Sequence, residues 1–194
     1  MRHPALLDRN RTAVVLIDVQ EGYRSVLHGW ARVVAAARLV VRGASLLQVP
    51  VIVTEQYPRG LGHTATELAT EFARDIRVVE KMSMSCCGSP EFAERLAATG
   101  REQILVIGIE THACVNQTVH DLVALGHQVH VARDATSSRR TADVGQAWEK
   151  MRVAGMLPTS SEQALLELVQ SAETAEFKTL QRLLKEAPLP RELD

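Results

Sequence analysis

The stretch Ile104-Leu105-Val106-Ile107-Gly108-Ile109-Glu110-Thr111-His112-Ala113-Cys114-Val115 decides how this chain folds. Four successive apolar residues with no polar alternation mark a strand covered on both faces, the kind found in parallel sheets. Beyond the glycine, Val115, Val119, Leu122 and Val123 fall on one helical face and Gly126 ends the run. The segment therefore predicts a buried strand feeding a helix, with Cys114 where the helix begins.

The same beat continues in both directions. Upstream, Ala13 to Ile17 is a short apolar run ending at Asp18, and Val33, Val34, Ala37, Val40, Val41, Ala44 and Leu47 recur at helical spacing until Pro50 closes the segment. Val51 to Thr54 predicts a second strand and Glu55 to His63 a loop, after which Thr64 and Glu67 match a capping box for a short helix. Arg77 to Glu80 predicts a third strand with Lys81 just past its end; Ser89 and Pro90 suit the cap and first position of a helix carrying Phe92 and Leu96, with Gly100 as its stop. Downstream come a strand at Gln128 to Ala132, a helix marked by Val144, Ala147, Met151 and Ala154, a short strand around Leu157, and a cap formed by Ser160 and Gln163. Glu186 to Asp194, with two prolines, reads as a loose tail. Strands alternating with helices give an α/β fold, a parallel sheet between two helical layers, in which ligands bind outside the carboxyl ends of the strands. Asp18, Lys81 and Cys114 all map to that edge, and they converge if strands one, three and four lie near one another.

Bulk properties set the limits. A chain of 194 residues, 46% hydrophobic and 23% charged, fits one globular domain over residues 1–194 with its core at about 10–184. The 22 basic and 23 acidic residues give a net charge of -1, so no overall field draws in nucleic acid or an anionic membrane. No signal-type apolar segment and no membrane-length apolar run appears, which predicts a cytoplasmic protein. Of three cysteines, Cys86 and Cys87 are adjacent and poorly placed to pair, which favours free thiols.

Three residues can carry chemistry. A thiol at a helix amino end meets unpaired N–H groups and the positive end of the macrodipole, which predicts a pKa below the free value of about 8.5 for Cys114. The competing reading is a small buried hydrophobe. Asp18 suits a general base that takes the thiol proton and returns it to the leaving group, or else a strand-end residue capping a turn. Lys81 suits a positive charge beside thiolate and oxyanion, or else a solvated lysine next to Glu80. His112 is too close in sequence to Cys114 to form a dyad with it, and Cys86 and Cys87 read as packing residues. His63, Glu55 and Asp75 lack metal-ligand spacing, so no metal or other cofactor is expected.

Taken together, Val14-Val15-Leu16-Ile17-Asp18-Val19-Gln20, Val79-Glu80-Lys81-Met82-Ser83-Met84-Ser85 and Gly108-Ile109-Glu110-Thr111-His112-Ala113-Cys114-Val115 resemble the isochorismatase-like cysteine hydrolases. Thr54-Glu55-Gln56-Tyr57-Pro58-Arg59-Gly60-Leu61-Gly62, Asp134-Ala135-Thr136-Ser137-Ser138-Arg139 and Pro158-Thr159-Ser160-Ser161-Glu162 resemble the branch called isochorismatase domain-containing proteins. The resemblance implies a Rossmann-like three-layer α/β/α sandwich with six parallel strands in the order 3-2-1-4-5-6. It also implies an Asp18/Lys81/Cys114 triad, a cis peptide bond between Ile109 and Glu110, and an oxyanion hole made by the N–H groups of Ala113 and Cys114. The implied reaction is hydrolysis of a small amide or related C–N bond through a Cys114 thioester, in a homo-oligomer. Gln20, Tyr23, Glu55, Tyr57 and Thr111 are the expected pocket wall.

Two departures narrow the substrate. Where nicotinamidases of this superfamily carry a metal-binding Asp-x-His pattern, this chain has Glu55-Gln56-Tyr57-Pro58, and the retained Cys114 argues against isochorismate, whose enol ether does not require it. Two other classes stay open. One is a catalytically idle binding or scaffold protein that keeps the triad by descent; the other is a redox sensor pairing Cys114 with Cys86 or Cys87. A dinucleotide enzyme is excluded, because Val19-Gln20-Glu21-Gly22-Tyr23 lacks the glycine pattern that a pyrophosphate needs after the first strand.

Overall fold

The structure is a computed structural model that describes residues 2–74 and 76–189, so Asp75 and the last five residues of the tail lie outside the described residues. Six strands, β1 Thr12–Ile17, β2 Val51–Gln56, β3 Val78–Lys81, β4 Gln103–Ile109, β5 Gln128–Ser137 and β6 Leu157–Thr159, form one sheet. Every neighbouring pair is parallel, and the order is 3-2-1-4-5-6, as expected. The helices are α1 Trp30–Leu46, α2 Pro58–Leu61, α3 Thr66–Ala69, α4 Pro90–Thr99, α5 Asn116–Ala124, α6 Thr141–Val153, α7 Ser161–Val169 and α8 Phe177–Glu186.

Side chains alternate across the two central strands, and each set meets a different helical layer. Val14 and Leu16 of β1 with Leu105, Ile107 and Ile109 of β4 join α1, α7 and α8 in one buried cluster. Ala13, Val15 and Ile17 with Ile104 and Val106 join Phe92 of α4, Val119 and Leu122 of α5 and Met151 of α6 in another. Both faces of the sheet are covered, which is why its strands read as unbroken apolar runs. Gly108 lets β1 and β4 stay in register at the site edge. Its φ is +118°, and a Cβ there would collide with the carbonyl oxygen of Ile17, its partner across the ladder.

The caps at Ser89 and Ser160 are present: their hydroxyls accept from the N–H groups of Phe92 and Gln163 at 3.4 and 3.2 Å. The capping box at Thr64 and Glu67 is not. Thr64 donates its hydroxyl to Glu55 at 2.7 Å, while Glu67 accepts from Arg24 at 2.7 Å, so both are taken by partners remote in sequence. β2 runs two residues beyond Thr54 into the stretch expected to be a loop, and β5 runs five beyond Ala132. The segment before the tail forms α8, whose Leu180 and Leu183 are buried against the first cluster, and Ala187 and Leu189 pack partly on it. Those tail residues are therefore docked rather than loose. Among the described residues, no helix is long and apolar enough to cross a membrane.

Candidate active site

β1, β3 and β4 deliver one residue each to the same edge of the sheet. Asp18 follows β1 with φ +51°, a left-handed conformation that aspartate tolerates, and its N–H donates to the Thr54 carbonyl at 3.2 Å. Its Oδ1 accepts the Thr54 hydroxyl at 2.7 Å, and its Oδ2 lies 2.7 Å from the Nζ of Lys81. Lys81 is the last residue of β3 rather than the first beyond it, and faces Gln56 in the β2–β3 register. Its Nζ donates to Gln56 Oε1 at 2.7 Å and to the carbonyls of Ser83 and Met84 at 3.2 Å each. The carboxylate and ammonium side chains are 1% and 0% exposed.

Cys114 sits in a turn, Thr111–Val115, that follows β4 and precedes α5. Val115 donates to the Glu110 carbonyl at 3.2 Å and Asn116 to that of Thr111, so the turn is wound more widely than an α-helix. The peptide bond between Ile109 and Glu110 is cis.

The thiol's ionisation reverses the expectation from sequence. Burial pushes Cys114 up from its ordinary 9.0 to about 12; the Asp18 charge pushes the same way, Lys81 pulls it down, and the hydrogen bond to Asp18 raises it further. Cys114 lies in a wide turn that runs without a break into α5, and burial with the Asp18 charge outweighs the pull of Lys81. The resting site is a neutral thiol donating to a carboxylate that is paired with an ammonium. Burial depresses Lys81, but the Asp18 charge and the nearby sulfurs outweigh it, and its pKa ends above the ordinary value.

This edge is the setting for the comparisons with known proteins. The isochorismatase domain model matches residues 12–163, a span that holds all six strands and the three clustered residues. The chain belongs to the isochorismatase family. It is 37% identical over 175 residues to isochorismatase domain-containing protein 1 of Salmo salar, covering 90% of this chain. The chain spans 61% of that relative's length. Among solved structures, one described as the MAR1 ribonuclease of Caenorhabditis elegans superposes with a TM-score of 0.91 at 34% identity, covering 97% of each chain. The YcaC gene product of Escherichia coli, described as an octameric hydrolase of unknown specificity, has a TM-score of 0.86 over 94% of this chain and 92% of its own; at 23% identity it speaks for the fold alone.

Within this hydrolase-type isochorismatase fold, the expected pocket residues divide. Tyr23 is at the site: burial pushes its hydroxyl up to about 12, with further contributions from Glu110, Cys114 and Asp18. Thr111 is fully buried, and its hydroxyl has no hydrogen-bond partner. Gln20 is not a wall residue. Its amide donates to the carbonyls of Gln56 and Gly62 at 3.0 and 2.6 Å and accepts from the Gln56 N–H at 2.8 Å, so it splices two loops together. Glu55 is likewise internal, accepting from the N–H and hydroxyl of Thr64 and contacting His63 at 3.0 Å. Tyr57 is exposed, and its ring packs against Gly60.

The Ala113 N–H, expected to hold an oxyanion, instead donates to the Glu110 carbonyl at 3.0 Å. His112 turns to Ser138, with Nδ1 and Oγ 2.9 Å apart, and forms no dyad with Cys114. Cys86 is fully buried behind the pair, 3.7 Å from the Thr54 hydroxyl, and its backbone N–H donates to Thr118. Ser85 caps the short turn Cys86–Gly88 that holds it, its hydroxyl accepting from the Cys87 N–H. The sequence assigns no role to Thr54, Gln56 or Arg139, and Glu110, expected there for its cis bond, has a second one. Thr54 and Gln56 stand at alternate positions at the end of β2, on the face that also carries Ile52. Glu110 accepts both the N–H and the Nε of Arg139 at 3.0 Å each, which ties the end of β5 to the Cys114 turn. The polar residues at the end of β2 were the only local signal for the first pair; nothing local marks the second.

Proposed function

We propose that this chain is a cysteine hydrolase acting on a small amide-type C–N bond through a thioester on Cys114. The observation that carries this reading is the buried Asp18–Lys81 pair at 2.7 Å, whose two charges both act on the Cys114 thiol. A thiol held near 12 is not a resting thiolate, so its proton moves to Asp18 as Sγ attacks the amide carbon. Lys81 balances the negative charge that this places on sulfur and on the carbonyl oxygen. When the C–N bond breaks, Asp18 gives its proton to the departing amine. Water then attacks the thioester, its proton passes through Asp18, and Cys114 leaves as a thiol. The Cys114 N–H serves the oxyanion; that of Ala113 joins only by releasing the Glu110 carbonyl.

The test is a screen of small amides for ammonia or amine release, run beside Cys114→Ala, with the acyl-enzyme sought by intact mass. Turnover is expected to be lost with the thiol, and turnover that survives Cys114→Ala sinks this reading. RNA belongs in the screen because the C. elegans relative is named a ribonuclease. The resemblance further supports a homo-oligomer, which light scattering would show as a mass above the 21.3 kDa of one chain.

A further inference from the structure

Four oxygens surround the Lys81 ammonium: Asp18 Oδ2 at 2.7 Å, and three neutral acceptors, Gln56 Oε1 and the carbonyls of Ser83 and Met84. Gln56 is behind all three neutral contacts. Its Oε1 accepts at 2.7 Å, as close as the Asp18 carboxylate, while its Nε2 donates to the Met82 carbonyl at 2.9 Å and so pins the loop that supplies the two carbonyls. The backbone of Gln56 is itself fixed from the opposite side by Gln20, which accepts its N–H and donates to its carbonyl. The residue also faces Lys81 directly across the β2–β3 ladder.

We infer that Gln56 is a positioning residue that locks Lys81 into one place as a fixed cation. This rests on the reading of Cys114 as nucleophile. A lysine on a four-carbon stem has rotamer freedom to lose, and neutral acceptors remove that freedom without cancelling its charge. A carboxylate at the same position would cancel it and compete with Asp18. With its protons committed to fixed oxygens, Lys81 acts on the thiol by field alone, and the mobile proton belongs to Asp18.

Iodoacetamide, itself a small amide, reads the field at Cys114 without any substrate. Labelling of Cys114 is followed at pH 9 by peptide mass spectrometry in the full chain, Gln56→Met, Lys81→Met and the double variant. Loss of a hydrogen bond to a charged group is expected to slow labelling by about ten- to hundredfold in Gln56→Met. In the Lys81→Met background the same substitution is expected to change nothing further, because a residue acting through Lys81 has no effect once Lys81 is gone. Equal slowing in both backgrounds, or none in either, overturns the inference. If Gln56→Met does not fold, Gln56→Asn withdraws the same amide by one methylene and keeps its polarity, and the same cycle is read with it. Hydrolysis that survives Cys114→Ala refutes the proposed reaction, whereas this cycle reports only on whether Gln56 acts through Lys81.

Discussion

Asp18 has two opposed effects on Cys114. As a neighbouring negative charge it raises the thiol's pKa, and as the hydrogen-bond acceptor it is the place the proton goes when sulfur attacks. Replacing it with asparagine separates the two. The negative charge that disfavoured thiolate disappears while Lys81 stays, so the pKa of Cys114 falls from about 12 toward its ordinary value, and the thiolate fraction at any pH below that rises. Asp18→Asn is therefore expected to label faster with iodoacetamide at pH 9 than the parent chain does, and to hydrolyse amides about 100- to 10,000-fold more slowly, the usual range for removing a general acid–base. Slower labelling and slower hydrolysis together would mean that Asp18 activates the thiol at rest. Sequence reading put all three residues on the right edge because a strand's end is a local property. It misjudged the thiol's ionisation because desolvation and the Asp18 charge arise from chain segments remote in sequence.

The same division between local and remote holds for the elements. β1, β2, β4 and α1 were legible because apolar runs and helical spacing are local, and the Ser89 and Ser160 caps because a cap is satisfied within three residues. Gln20 and Glu55 looked like pocket wall and prove to be internal splices, since their partners lie 36 and 9 residues away. α8 is legible in the sequence too: Phe177, Leu180, Leu183 and Leu184 stand at helical spacing. Its contribution is measurable. Leu180 is fully buried against the cluster that includes α1, and Leu180→Ala is expected to cost about 2–5 kcal/mol in urea unfolding. Cys114 labelling of the folded variant should match the parent. A cost below about 0.5 kcal/mol would mean that α8 is not docked on the core in solution.

At the scale of the molecule, one sheet serves two cores, and the chain carries a reporter in each. Trp30 of α1 belongs to the cluster on one face, beneath Arg24 at 5.2 Å from its ring centroid. Trp148 of α6 belongs to the cluster on the other face, with Arg133 at 5.8 Å. Successive residues of β1 and β4 supply the two clusters in alternation, so neither helical layer can leave without exposing strands whose pairing the other layer needs. The residues of the proposed site come from the ends of those same strands and of β3, which joins β1 through β2, and this ties their geometry to both layers. We therefore expect residues 1–194 to melt as one domain. In Trp30→Phe and in Trp148→Phe, the remaining indole's fluorescence should lose its native signal at the same urea concentration as the far-ultraviolet circular dichroism of that variant. A fluorescence midpoint displaced from the dichroism midpoint in either variant would show that one face unfolds alone, and the site would then rest on whichever layer persists.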